Sequence, residues 1–306
     1  MSTEQAAVDV AEVEVQGVMK KLLLVTLFAT GVAQAATRYD IHYGQFTEQF
    51  QQHGVLRSAE YQNQPEFSLD AKRLLWTAHA GDGDLATDIR YLELANPKSP
   101  QTLRTTPFGE FSATALANPA GSYSVVRVEK DGTQRIWRIS EQDEQLFVDL
   151  PGVGYHVWGE HGDLLLFLLE DKTGPNRAAY RKADGTLITL NSHIGRALAH
   201  IPATELFYFT APAAGERAQS PLWLWRYDAS TNRTTQIAPM PGGGIDLAVT
   251  AQGQLWASAG SSLYALKNQQ WQRVADLGKH CQGKVSRFKF HRQQPLLAFV
   301  CEKESV

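Results

Sequence analysis

The feature that most restricts the fold of this chain is a repeat of short apolar runs with strand character. The runs recur about every 45 residues, which is the length of one β-propeller blade with its four strands. They are centred near Leu75, Val125, Leu166, Tyr208, Trp256 and Ala298. No helical periodicity of useful length follows Ala36. The sequence therefore predicts an all-β fold, a six-bladed β-propeller of four-stranded antiparallel blades.

The clearest copy of the repeat begins at residue 64 and continues to residue 106. Its short apolar or alternating runs, at residues 65–68, 73–77, 88–94 and 102–106, are bounded by polar turns, which is the pattern of β-strands. One four-stranded sheet of this kind cannot bury both of its faces alone. Because the unit recurs, we expect neighbouring sheets to cover one another.

A glycine precedes the first strand of each of blades two to six, where the chain crosses between blades. These residues are Gly109, Gly152, Gly195, Gly242 and Gly283. A sharp crossing needs a positive φ or a close approach of two backbones, and glycine allows both. A phosphate-binding loop is the functional alternative for residues 242–244. That alternative requires a following helix, and the sequence indicates none.

The last blade is predicted to be shared between the two ends of the chain. Residues 285–290 and 295–300 supply two strands, and residues 40–43, Asp-Ile-His-Tyr, repeat the Asp-Ile-Arg-Tyr of residues 88–91. Residues 55–58 are the next strand in this interpretation. The N-terminal strands should then complete the last blade and leave no open sheet edge between the first and last repeats.

Residues 65–76, Pro-x-Phe-Ser-Leu-Asp-Ala-Lys-Arg-Leu-Leu-Trp, with Asp-Ile-x-Tyr at residues 88–91, resemble the repeat of TolB-type six-bladed β-propellers. The resemblance covers residues 36–306, strongly in the first blade and loosely elsewhere, and it concerns the propeller only. It implies a secreted scaffold that often binds proteins, with no invariant catalytic set. We therefore expect a non-enzymatic protein-binding or assembly scaffold in the cell envelope.

The N-terminal region has the pattern of a secretory signal peptide. Met19-Lys20-Lys21 precedes an apolar run at residues 22–32, and small residues follow, with cleavage expected near Ala35. The apolar run is about 12 residues long, whereas a membrane-spanning helix needs about 20. Residues 1–18 are acidic and are interpreted as an upstream extension that is not native. The expected product is a periplasmic or secreted propeller of residues 36–306 with no membrane span.

The charge balance argues against a nucleic-acid partner. The 29 Lys and Arg residues nearly match the 32 Asp and Glu residues, giving a net charge of −3. Nucleic-acid-binding domains are usually strongly basic on one face. We instead expect an envelope protein or a peptide as the partner of a monomeric propeller.

The innermost strand of each blade lines the central channel, and charged residues near the strand starts are the candidate ligand-binding residues. By alignment of the repeats these are Glu66, Glu110, His156, Arg196, Asp246 and Lys289. Glu66 and Glu110 are matched through a shared Glu-Phe-Ser. Such a mixed-charge channel could hold a peptide or a polar ligand. The structural alternative is a solvated channel whose charges compensate one another.

The enzymatic alternative is a lactonase-like, metal-dependent hydrolase that uses the same channel. Glu66, Glu110, His156 and Asp246 are residue types that ligate divalent cations. Nothing in their spacing requires a metal, so no cofactor is predicted, with a channel-bound divalent cation as the alternative.

Cys281 and Cys301 are the only two cysteines. Delivery to an oxidising compartment would favour a disulfide between them. With a turn near Gln293, the cross-strand partner of Cys301 is Val285, so the loop before that strand must fold back for the bridge to form. The alternative is a free thiol at Cys281 and a buried, apolar Cys301.

Overall fold

The computed structural model describes residues 37–81, 86–169 and 174–304. These residues form 24 β-strands, arranged as six four-stranded antiparallel sheets, and one short 3-10 helix at Pro241–Gly243. The predicted all-β, six-bladed β-propeller is confirmed.

Within each blade the strands are given from the channel outward. Blade one contains β3 (Gln62–Phe67), β4 (Arg73–His79), β5 (Thr87–Glu93) and β6 (Gln101–Thr102), and blade two contains β7 (Gly109–Ala115), β8 (Tyr123–Val128), β9 (Gln134–Ile139) and β10 (Glu144–Val148). Blade three contains β11 (Val153–Trp158), β12 (Leu164–Leu168), β13 (Arg177–Arg181) and β14 (Leu187–Ser192), and blade four contains β15 (Leu198–His200), β16 (Leu206–Pro212), β17 (Leu222–Asp228) and β18 (Arg233–Pro239). Blade five contains β19 (Asp246–Val249), β20 (Leu255–Ala259), β21 (Ser262–Lys267) and β22 (Gln270–Asp276), and blade six contains β23 (Lys284–Phe290), β24 (Leu296–Glu304), β1 (Thr37–Phe46) and β2 (Phe50–Leu56).

The hydrophobic core is divided among the interfaces between blades. Strand β12 is an uninterrupted apolar run because both of its faces are covered. Leu164, Leu166 and Leu168 pack in the cluster shared with blade two. Leu165 and Phe167 point the other way and pack in the cluster shared with blade four. Burying each such side chain contributes about 1.5 to 3 kcal/mol, so the blades stabilise one another.

Blade six is composite, as the sequence predicted. β1 from the N-terminal end pairs antiparallel with β24, from Thr37 opposite Glu304 to Gln45 opposite Leu296. Strand β2 continues the sheet but ends at Leu56, earlier than the predicted strand at residues 55–58. This pairing covers the edge that β24 would otherwise expose.

The glycines at the blade crossings meet two different requirements. Gly152 has a φ of 81°, a conformation that other residues rarely adopt. A Cβ on Gly283 would instead overlap the carbonyl oxygen of Glu302 in the neighbouring strand. Residues 241–243 form the 3-10 helix and lead into strand β19, so this segment does not have the strand-to-helix context of a phosphate loop.

The two cysteines are joined in blade six. The Cα atoms of Cys281 and Cys301 lie 5.4 Å apart in a disulfide. Val285 is the cross-strand partner of Cys301. The backbone amides of His280 and Cys281 both donate to the carbonyl of Leu277 at 2.8 Å, and this turn folds the loop back toward β24.

The predicted signal peptide at residues 19–35 and the upstream extension at residues 1–18 lie outside the described residues. Within the described ranges, no helix is long and apolar enough to cross a membrane.

Candidate functional site

The centre of the ring contains a cavity of about 120 Å³, here called the channel cavity. It is lined by residues 64–66, 112–114, 155–156, 196, 198, 246–247 and 287–289. Every inner strand contributes to this wall, so a ligand in the cavity would contact all six blades.

Blades one and two carry matching irregularities at the channel wall. Gln64 in β3 and Ser112 in β7 have positive φ values of 57° and 55°. The side-chain oxygen of Gln64 accepts hydrogen bonds from Thr77 Oγ1 and from the backbone amide of Ser112, both at 2.8 Å. Strand pairing shifts register just before Glu66 in β3 and just before Thr114 in β7. Glu66 is therefore equivalent to Thr114.

The sequence alignment that matched Glu110 with Glu66 is corrected by this register. Glu110 lies four residues before Thr114, and its side chain is completely buried within blade two, away from the channel cavity. It accepts hydrogen bonds from Arg127 Nε at 3.0 Å and Thr106 Oγ1 at 2.7 Å. Burial raises the pKa of Glu110 to about 7, although the hydroxyl of Thr106 and the charge of Arg127 oppose the change. Glu110 therefore does not line the channel cavity.

Glu66 and Lys289 form one of the two ion pairs of the channel cavity. The Lys289 Nζ atom lies 2.6 Å from Glu66 Oε2, and the two residues belong to the adjacent blades one and six. The lysine is about one-third exposed and the glutamate is buried. The pair therefore neutralises the carboxylate on this side of the channel.

The second ion pair joins Asp246 to Arg287, a channel residue that the repeat alignment missed. Arg287 Nη1 donates to Asp246 Oδ1 at 3.0 Å, and the backbone amide of Phe288 donates to Oδ2 at 2.9 Å. The guanidinium carbon lies 4.9 Å from the centre of the Tyr155 ring. Arg287 could have been found from Lys289, since residues two apart in a strand face the same side.

Arg196 lies beside this pair, at the start of blade four. Its Nη2 donates to the carbonyl of Ser286 at 2.6 Å. Burial and the charge of Arg287 lower the pKa of Arg196. The like charges of two neighbouring guanidinium groups repel, and Asp246 is the carboxylate that offsets them. Arg196, Asp246 and Arg287 are called the arginine cluster below.

His156 lines the channel cavity but is held by its blade neighbours. Its Nε2 lies 2.8 Å from the hydroxyl of Ser124, which also accepts a hydrogen bond from Trp158 Nε1 at 2.8 Å. Burial, with the charge of Lys289, lowers the pKa of His156 to about 3. The imidazole is therefore neutral near pH 7. Because Ser124 is fully buried, this serine and histidine are not placed for nucleophilic catalysis.

A larger cavity of about 480 Å³, the mouth cavity, opens where the inner strands of blades two to six end. It shares Leu198, Leu247 and Lys289 with the channel cavity. Phe147 is 39% exposed there, and its ring centre lies 5.3 Å from that of Trp158. The sequence does not predict this pairing, because Phe147 comes from the outermost strand of blade two and no local pattern places it beside blade three.

The channel residues do not fit a divalent cation. Glu66 and Asp246 are each engaged by a cationic side chain, and His156 is engaged by Ser124. Among the described residues, no group of three or more His, Cys, Asp or Glu side chains is placed to hold a metal ion. Oxygen-ligated cations need several such donors that converge on one point.

No family model and no curated protein sequence matches this chain. Solved structures do match it. A protein from Agrobacterium tumefaciens assigned as TolB has a TM-score of 0.67 at 14% identity, over 87% of this chain and 99% of that one. A gluconolactonase from Xanthomonas campestris has a TM-score of 0.56 at 13% identity, over 80% and 86% of the two chains. TolB from Acinetobacter baumannii has a TM-score of 0.52 at 9% identity, over 87% and 64%. These similarities establish a propeller fold common to TolB and to a gluconolactonase.

Proposed function

We propose that this protein is a non-enzymatic binding propeller of the cell envelope that takes a segment of a partner protein into its mouth cavity. The observation that carries the proposal is the exposed Phe147 against Trp158 at the edge of a cavity of about 480 Å³. Exposed aromatic residues beside a concave site are typical anchors for protein ligands.

The charges around the mouth favour a partner segment with acidic character. Lys289 and Arg292 line the mouth cavity with positive charge. Glu160 lines it as well with the opposite charge, and its carboxylate accepts a hydrogen bond from the backbone amide of Ala203 at 2.9 Å. Taken together, the described residues that line the mouth and channel cavities include four cationic side chains and three carboxylates, so one positive charge is in excess. An acidic or C-terminal segment would therefore meet complementary charge, which favours both the rate and the specificity of association.

The hydrolase alternative has weaker support in the residues of the channel. A gluconolactonase shares the fold, but folds of this kind carry unrelated functions. Metal-assisted hydrolysis needs convergent ligands with an open coordination position, whereas the channel carboxylates are paired with Lys289 and Arg287. We therefore propose binding without a cofactor.

The periplasmic location in this proposal rests on the signal-peptide pattern of residues 19–35. A disulfide between the only two cysteines is compatible with an oxidising compartment.

The test is capture of partners from a periplasmic extract of the source organism by the wild-type protein and by two double variants. The mouth variant is Phe147→Ser with Arg292→Ala. The control is Leu187→Ser with Arg217→Ala, because Leu187 is 37% exposed and neither residue lines the mouth cavity. We expect one protein to be retained by the wild type and the control and lost with the mouth variant. Equal retention by all three would contradict the proposal.

A further inference from the structure

The channel cavity contains one more cationic side chain than carboxylate. Arg196, Arg287 and Lys289 line it together with Glu66 and Asp246. Lys289 is paired with Glu66, and Arg287 with Asp246. Arg196 donates to a backbone carbonyl instead, and His156 is neutral near pH 7. One positive charge in the wall is left without a matching carboxylate among the described residues.

Several guanidinium nitrogens at this position also have no hydrogen-bond partner. They are Nε of Arg196 and both Nε and Nη2 of Arg287. The side chain of Arg287 is only 12% exposed. Buried donors without partners are rare in folded proteins and call for a specific cause, such as a bound water or ligand. Other buried arginine nitrogens also lack a partner, among them Nη1 of Arg127, but Arg196 and Arg287 in addition line a cavity and carry the excess charge.

The chemistry of the cluster favours a carboxylate over a phosphate. A guanidinium presents a planar fork of donors that matches the two oxygens of a carboxylate. One excess positive charge is balanced by one negative charge. A phosphate dianion would place its second charge near Asp246, which is already paired and buried.

The size and position of the cavity limit what else the ligand contains. About 120 Å³ is well above the roughly 10 to 15 Å³ needed for one water molecule, so a carboxylate with a short substituent fits. Tyr155 packs under Arg287, which gives one apolar wall. Since the cavity shares Leu198, Leu247 and Lys289 with the mouth cavity, the rest of the ligand has a path outward.

We propose that the channel cavity binds a monocarboxylate, with the carboxylate held by Arg196 and Arg287 and the remainder of the ligand directed to the mouth cavity. The carboxylate belongs either to the C-terminus of a peptide or to a free small acid. The inference deepens the proposed function and rests on it only for the direction of entry.

The experiment is a ligand-detected NMR titration with four probes. N-acetylphenylalanine represents a peptide C-terminus, acetate represents a free small acid, N-acetylphenylalanine amide is the uncharged control, and inorganic phosphate is the competing anion. We expect both carboxylates to bind the wild-type protein and the amide and phosphate to bind more weakly. Tighter binding of N-acetylphenylalanine than of acetate would identify a peptide end, and equal binding would identify a free acid.

Arg196→Gln should weaken carboxylate binding about ten- to a hundredfold, the effect expected for loss of a charge-assisted hydrogen bond. Arg196→Lys keeps the positive charge but not the planar fork of donors, so its carboxylate affinity should lie between those of the wild type and Arg196→Gln. Arg217→Gln, on an exposed loop, is the matched control and should bind as the wild type does. The proposal is overturned if the amide or phosphate binds as tightly as the carboxylates, or if Arg196→Gln binds them normally.

This outcome is separable from the partner-capture test. If the protein binds carboxylates but the mouth variant captures partners as well as the wild type does, the channel site is supported and only the proposed function is contradicted. If partner capture is lost with the mouth variant but the wild-type protein binds no carboxylate, only the channel site is contradicted.

Discussion

Two charged networks, each of which includes a residue of an inner strand, differ in whether their charges are balanced. In blade two, Arg127 bonds Glu110 at 2.8 Å and Glu144 at 2.9 Å, and Arg104 bonds Glu144 at 3.1 Å. Arg127 also stacks on the Trp137 ring, 4.3 Å from its centre. When Glu110 is ionised, above its pKa of about 7, two arginines thus meet two carboxylates. In the arginine cluster of the channel, two arginines face a single carboxylate, that of Asp246.

A charged side chain with a structural role differs from one available to a ligand in whether its charge is already offset by a neighbour. In the blade-two network each charge is offset by an opposite one. Its central pair, Arg127 and Glu110, is fully buried, so removing one of these two leaves the other unpaired in a low-dielectric interior. An unbalanced cluster that borders a cavity can be completed by an outside anion. A charged residue on an inner strand does not by itself identify the site. The site is identified by whether the side chain faces the channel and whether its charge is offset by an opposite one.

The largest expected effect is on stability when Arg127 is changed to Met. At about pH 8, above its pKa of about 7, the ionised Glu110 would then be buried without its cation, which costs about 3 to 5 kcal/mol. Arg287→Met, the matched change in the channel, should cost less, about 1 to 3 kcal/mol, because Asp246 keeps the amide of Phe288 as a donor. Urea unfolding of both variants measures the difference. A larger loss of stability for the channel variant would contradict this difference between the two networks.

The pH dependence of stability should report the burial of Glu110. Burial raises its pKa from 4.5 to about 7. Because the unfolded chain releases this proton first, the contribution of Glu110 to stability is present below about pH 4.5 and is lost as the pH rises toward 7. The unfolding free energy of the wild type relative to Glu110→Gln should fall by roughly 1 to 3 kcal/mol over that range.

Unfolding of both proteins at several pH values between 4.5 and 7.5 tests this sign. His156 does not interfere, since it is present in both, and its effect runs the other way: its lowered pKa removes stability as the pH falls from 6.5 toward 3. A difference between the two proteins that stays constant or rises with pH would show that Glu110 is ionised in the folded state.

The architecture was predictable because its signals are local and repeated. The all-apolar β12 and the Asp-Ile-x-Tyr copies at residues 40–43 and 88–91 follow from side-chain alternation and repeat spacing. The position of Glu110 was not predictable, because the register of pairing shifts at Gln64 and Ser112. Both residues adopt a positive φ although neither is a glycine, so the sequence does not indicate the bulges. A shift of register changes which face each side chain occupies. Likewise, the pairing of Phe147 with Trp158 depends on how two blades meet.

A smaller effect is expected when Glu66 is changed to Gln. The change releases Lys289 from its ion pair and adds to the excess positive charge of the channel cavity. Carboxylate affinity should rise about three- to tenfold, while stability changes by no more than about 1 kcal/mol because the lysine is partly exposed. Titration with N-acetylphenylalanine measures the affinity, and Glu110→Gln should leave it unchanged. Equal affinities in the wild type and Glu66→Gln would weaken the charge argument.

The most direct measurement is a ¹H–¹⁵N NMR spectrum of the arginine Nε–H groups, recorded while N-acetylphenylalanine is added. Each guanidinium Nε carries one donor whose signal responds to a new acceptor. We expect the signals of Arg196 and Arg287 to shift and saturate together, while the signal of Arg127, whose Nε donates to Glu110 at 3.0 Å, does not move. Unchanged signals from both channel arginines, or a shift of Arg127 as large as theirs, would contradict this expectation.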